Sequence, residues 1–107
     1  MGRDYLAPLR KKISVSTAGD NTIVDPGANK RVLVLSLAYV CGGDVTVKEK
    51  FGDTEYAEFD WWDGGGPYHE FHKLDCVWAG GAGEALKLNL SAAVAVKGSV
   101  FYLLERV

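Results

Sequence analysis

Residues that build metal centres and nucleophilic sites are scarce in this sequence: it holds two histidines, two cysteines and one methionine in 107 residues. The cysteines, Cys41 and Cys76, are spaced like no zinc or redox motif, and synthesis in a reducing cytoplasm favours two free thiols over a disulfide. No apolar run approaches the roughly 20 residues that a membrane span requires. The longest, residues 32–41, has the length of a strand and is broken by Ser36, so no membrane partner is expected. No excess of positive charge exists either. Lys and Arg number 12 against 14 Asp and Glu, a net charge of -2, which leaves no concentrated basic face for phosphate neutralisation and argues against a nucleic-acid partner. The first twelve residues are locally basic through Arg3, Arg10, Lys11 and Lys12. They lack the apolar stretch and small-residue cleavage site of a secretory signal, so the chain is expected to be made in the cytoplasm without a secretory leader. There is no Gly-x-Ser-x-Gly elbow, and Gly64-Gly65-Gly66 lacks the lysine and following helix of a phosphate-binding loop.

What the chain does have is a globular composition, 48% hydrophobic and 24% charged, at a length suited to one domain that needs no disulfide or metal staple. Thirteen glycines gather with Asp, Asn and Pro into turn clusters every eight to twelve residues or so, the spacing of a sandwich or barrel of short strands. The clusters include Asp25-Pro26-Gly27-Ala28-Asn29, Cys41-Gly42-Gly43-Asp44, Gly52-Asp53, Asp63-Gly64-Gly65-Gly66-Pro67 and Lys97-Gly98. The fold expected is all-β: a single antiparallel β-sandwich of jelly-roll type over residues 12–107, preceded by a flexible N-terminal arm over residues 1–11.

Alternation assigns the faces. Residues 12–16 read as the opening strand, with Ile13 and Val15 inward, and 22–24 as its continuation or a short partner. Residues 31–40 place Leu33, Leu35, Leu37 and Tyr39 on one face and Val32 and Val34 on the other, as in a central strand covered on both sides. Residues 44–51 point Val45, Val47 and Phe51 inward, with Glu49 the exception to the pattern. Across Gly52-Asp53 a hairpin partner, 54–61, sets Ala57, Phe59 and Trp61 inward against Tyr56, Glu58 and Asp60. Residues 68–74 choose no face and suit a sheet edge. Leu86, Leu88 and Leu90 mark an inward row, and 99–107 supply a last strand with Val100, Tyr102 and Leu104 inward.

No arrangement points to catalysis, so no catalytic residue and no cofactor is expected. His69 and His72 could share a metal ion with the help of Asp60, Asp63 or Asp75, but residues three apart on a strand face opposite ways. No metal site is therefore expected, and the histidines read as solvated rim residues. The acidic group Asp53, Glu55, Glu58, Asp60 and Asp63 could hold an acid and base for glycoside hydrolysis, yet alternation makes it a solvated face. Trp61-Trp62 is the most unusual local feature: adjacent strand residues face opposite ways, so one ring can enter the core while the other caps the sandwich or meets a partner. The interface or ligand-binding set drawn from this region is Trp61, Trp62, Asp63, Tyr68, His69, His72 and Trp78. The arm contributes Arg3, Tyr5, Leu6, Leu9 and Arg10, too little apolar surface to fold alone but enough to order against a groove.

Three stretches carry a resemblance: residues 16–24, Ser-Thr-Ala-Gly-Asp-Asn-Thr-Ile-Val; 30–37, Lys-Arg-Val-Leu-Val-Leu-Ser-Leu; and 82–91, Ala-Gly-Glu-Ala-Leu-Lys-Leu-Asn-Leu-Ser. In that order, and followed by a last strand, the chain resembles the small β-sandwich virion structural proteins of tailed bacteriophages, decoration or tail-associated, from about residue 14 onward. The resemblance implies a structural role on a virion assembled in the host cytoplasm, with capsid or tail proteins as partners, and carries over no catalytic residue. A homo-oligomer, with a trimer favoured, completes that expectation. The aromatic, acidic and histidine-rich stretch 61–78 and the basic lead 1–12 depart from the pattern. The alternative is a carbohydrate- or receptor-binding module of a phage tail or fibre, with Trp61, Trp62, Tyr68 and Trp78 stacking on a glycan while Asp60, Asp63 and His69 bond its hydroxyls.

Overall fold

The computed structural model describes residues 8–70 and 78–107. Its regular structure is entirely β: β1 (Leu9–Val15), β2 (Gly19–Val24), β3 (Lys30–Cys41), β4 (Val45–Phe51), β5 (Thr54–Trp61), β6 (Tyr68–Glu70), β7 (Trp78–Ala79), β8 (Leu86–Leu90) and β9 (Val96–Arg106). They form two antiparallel sheets. The first, sheet A, runs β1-β9-β3-β6 with β7 sharing the outer edge of β3, and the second, sheet B, runs β2-β8-β4-β5. The first four strands alternate between sheets, only β4 and β5 continue as a hairpin within sheet B, and β8 and β9 return to opposite sheets. This is the winding of a jelly-roll sandwich, and the all-β sandwich expected from the turn spacing is the observed fold. No helix among the described residues is long and apolar enough to cross a membrane.

The core lies between the sheets. Leu86, Leu88 and Leu90 are buried from β8, as their alternation requires, and Val45, Val47 and Phe51 meet them from β4. Ile13, Val32, Val34, Leu37, Val96 and Val100 close the layer from sheet A.

Four local readings need correction. β1 begins at Leu9 rather than Lys12, because Leu9 pairs with Tyr102 and the ladder runs unbroken to Val15 opposite Val96. Leu9 and Arg10 thus belong to the sandwich; Arg3, Tyr5 and Leu6 lie outside the described residues. Residues 22–24 neither continue β1 nor pair with it: they end β2, which pairs with β8 in sheet B. In β3 a bulge between Val34 and Ser36 inserts Leu35 and reverses the phase, so Val32 and Val34 share the core face with Leu37, Tyr39 and Cys41. Leu35 is only half-buried, and Leu33 is buried outside that core. Finally, Lys97-Gly98 is no turn but part of β9, where a side chain at Gly98 would run into the backbone carbonyl of Ala38. A close approach of two backbones, rather than a bend, is what glycine serves there.

Candidate functional site

The pattern break in β4 marks the most unusual group of the interior. Val45, Val47, Glu49 and Phe51 all point inward, and Glu49 has 0% of its surface exposed. Its Oε2 accepts a hydrogen bond of 2.9 Å from the Tyr39 hydroxyl, which in turn accepts from Trp61 Nε1 at 3.3 Å. His69 Nε2 lies 3.5 Å from the same carboxylate oxygen. Glu49 Oε1, Tyr56 Oη and His69 Nε2 are buried without a hydrogen-bond partner of good geometry. No arginine or lysine among the described residues pairs with Glu49, so burial pushes its carboxyl above the ordinary range, opposed by the nearby imidazole and the tyrosine hydroxyls. Burial first, and then the Glu49 carboxyl, push the Tyr39 and Tyr56 hydroxyls far up.

Aromatic rings enclose this polar group. Tyr39 meets Trp61 edge to face at 6.5 Å, Phe59 lies 5.3 Å from Trp61 and 5.8 Å from His69, and His69 abuts Trp78 at 4.5 Å. Trp78 continues to Tyr56 at 4.6 Å, and Tyr56 stacks on Phe51 at 5.0 Å. A bulge in β5 opposite Glu49 and Lys50 turns Tyr56 into this layer, correcting its expected outward position. Since Glu49 has no exposed surface, the group can hold a proton and tie the sheets together but offers no bed for a substrate.

The expected contact residues therefore divide. Trp61, His69 and Trp78 face inward; His69 is not a rim residue, because Leu37, its partner across the β3–β6 ladder, faces the core. Trp62 is 62% and Tyr68 71% exposed; with Asp63, also exposed, they face outward. Tyr68 donates to Glu70 at 3.1 Å. His72 and Cys76 lie outside the described residues. Cys41 is a free, buried thiol whose pKa burial raises. Among the described residues no three histidine, cysteine or acidic side chains converge as a metal site would require.

Two shallow grooves flank the outward residues. One, of about 480 Å³, is lined by Asp44, Thr46, Asp60, Trp61, Trp62 and Ser91. The other, of about 320 Å³, lies on sheet A between Val40 and Lys97 on one side and Pro67 and Tyr68 on the other.

The two outer faces of the sandwich differ in kind. On sheet B the outward residues are polar and bond one another: Lys50 and Asn89 reach Asp20 at 3.1 and 2.8 Å, and Thr46 donates to Asp60 at 2.6 Å. Asn89 and Lys50 hold the Asp20 carboxyl below its ordinary range. On sheet A the ladder registers put Phe101, Ala38, Val40 and Tyr68 outward together, with Val40 56% exposed. Arg10 lies over the Phe101 ring, 4.4 Å from its centre. Comparison of the chain with family models, curated proteins and solved structures finds no match.

Sequence reasoning missed Tyr39, Glu49 and Tyr56 as a group. One signal was available: a carboxylate at the inward phase of an otherwise apolar strand.

Proposed function

We propose that this chain is a non-enzymatic structural protein of a tailed-phage virion, a decoration protein that docks as an oligomer on the particle surface through the outer face of sheet A. The observation that carries the docking reading is the contrast between the two outer faces. Sheet B presents polar groups already bonded to one another, a face suited to water. Sheet A presents Val40, Phe101 and Tyr68 beside a groove that a partner's side chain can fill, and exposed apolar surface rimmed by charge marks interaction sites. Jelly rolls recur in viral capsid and lectin domains, and the resemblance of the β2, β3 and β8 stretches to phage virion proteins supplies the setting. Mass spectrometry and cryogenic imaging of purified particles test it: the chain should be present at a copy number that matches a surface lattice. Its absence from intact particles contradicts the proposal.

A second reading rests on the Trp62 groove, where an exposed indole sits beside Asp44, Asp60 and Ser91 as a flat ring and hydroxyl partners for a glycan would. Thr46 already engages both Asp60 and Ser91, which leaves fewer free donors and acceptors there and favours the docking reading. A glycan array probed with the wild-type chain and with Trp62→Ala separates the two: only the second reading expects a glycan signal that the variant loses.

A further inference from the structure

Each sheet has two edges among the described strands, β1 and β6 with β7 in sheet A and β2 and β5 in sheet B; the long strands β1 and β5 carry the charge that matters here. These two strands lie on opposite sides of the sandwich, β1 next to β2 and β5 next to β6, where Phe59 meets His69. Their charges are opposite. Arg10, Lys11 and Lys12 are exposed on β1; Glu55, Glu58 and Asp60 are exposed on β5. Alternation turns Arg10 and Lys12 to the outer face of sheet A, since their neighbour Ile13 is in the core. Pairing with Lys48 and Thr46 turns Glu58 and Asp60 to the outer face of sheet B. Both pairs have the two-residue spacing that places side chains opposite one another across a ladder.

We propose that the chain associates with a second copy of itself by pairing β1 of one copy, antiparallel, with β5 of the next, Arg10 opposite Asp60 and Lys12 opposite Glu58. That register also sets the partly exposed Leu9 opposite Trp61, with Lys11 opposite Phe59 and the buried Ile13 opposite Ala57 on the same inner side of the joint. Glu58 has only a weak contact at present, 4.0 Å from Lys48 with both side chains well exposed. Asp60 accepts from Thr46 and Arg10 lies over Phe101, contacts that the joint would share. Pairing two β1 edges or two β5 edges would set like charges opposite, so between these two edges complementarity selects the unlike joint. Such a joint is heterologous, and copies added through it close into a ring or extend as a filament. Charged edges on a monomer also serve to prevent pairing; complementary sign at matching spacing is what distinguishes this chain. Self-association is measured on the chain alone and docking on particles, so either can fail without the other.

The experiment is sedimentation of the full chain at low and high salt, alone and as two charge-reversed variants, Arg10→Glu/Lys12→Glu and Glu58→Lys/Asp60→Lys. The wild type should associate, more weakly at high salt. Each variant alone should associate about tenfold or more weakly, and an equimolar mixture of the two should assemble again through its unlike edges. A chain carrying all four reversals should assemble like the wild type. A monomeric wild type, assembly indifferent to either reversal, or a mixture that stays dissociated overturns the proposal. If a variant fails to fold, the wild-type salt series decides, with salt-independent assembly counting against the joint.

Discussion

Tyr39 of β3 donates its hydroxyl hydrogen to Oε2 of Glu49 on β4 over 2.9 Å, so a hydrogen bond ties the two sheets through the middle of the core. Burial favours the protonated form of this carboxyl, against the opposing pull of the His69 imidazole and the Tyr39 hydroxyl, and this sets the pH response of the fold. The folded chain holds the Glu49 proton above the ordinary value of 4.5, where the unfolded chain has released it. The contribution of Glu49 to stability is thus greatest below about pH 4.5 and is lost as the pH rises through the raised folded value. Denaturant titrations across pH 4–8 should show this decline, and Glu49→Gln, which can still accept from Tyr39, should flatten it. An unchanged slope in the variant would mean that the carboxyl is ionised in the fold throughout.

Asp20 runs the other way. Its pKa is lowered by Asn89 and then Lys50, so its contribution is present above the ordinary 3.8 and lost as the pH falls through the depressed value. The effect should be small because the group is near the surface. Comparing wild type with Asp20→Asn at pH 2–5 reads it, as a difference that narrows with acid.

The tryptophan pair should separate cleanly. Trp61→Ala removes a ring packed on the core and the bond to Tyr39, and should cost about 3 kcal/mol. Trp62→Ala, at an exposed position, should leave the melting transition within a degree or two of wild type, since surface changes seldom exceed ~0.5 kcal/mol. Thermal melts of the two variants check this.

Core substitutions test the strand phase. Leu88→Ala should cost about 2–5 kcal/mol, and Leu88→Asp should abolish folding, since its side chain is wholly buried. Leu35→Asp should be far milder, because Leu35 sits at the β3 bulge and is half-buried. Equal loss of soluble protein for both aspartates would show that the bulge does not relieve position 35.

How much of this was legible beforehand follows from local rules. Leu86, Leu88 and Leu90 announced their strand and face because nothing interrupts their alternation. The turn clusters announced an all-β sandwich, and Trp61-Trp62 announced one ring in and one ring out. Bulges were illegible: the insertions at Leu35 and Tyr56 reverse the phase without a glycine or proline to mark them. Gly98 misled for the opposite reason, since glycine signals a turn and a close backbone approach with the same letter. His69 read as a rim residue because the register of a three-residue edge strand depends on β3, not on its own sequence. Glu49 was visible as an anomaly, but its partners Tyr39, Tyr56 and His69 come from three other strands, and only the fold brings them together.

The central claim, that the chain docks through the outer face of sheet A, is tested most directly by binding of purified chain to particles stripped of it. Val40→Glu and Phe101→Glu, both exposed on that face, should abolish binding while the isolated domain keeps its melting transition; Asn89→Lys and Thr22→Lys on sheet B should bind as wild type does. Retained binding by the sheet A variants, or its loss in the sheet B variants alone, would contradict the account.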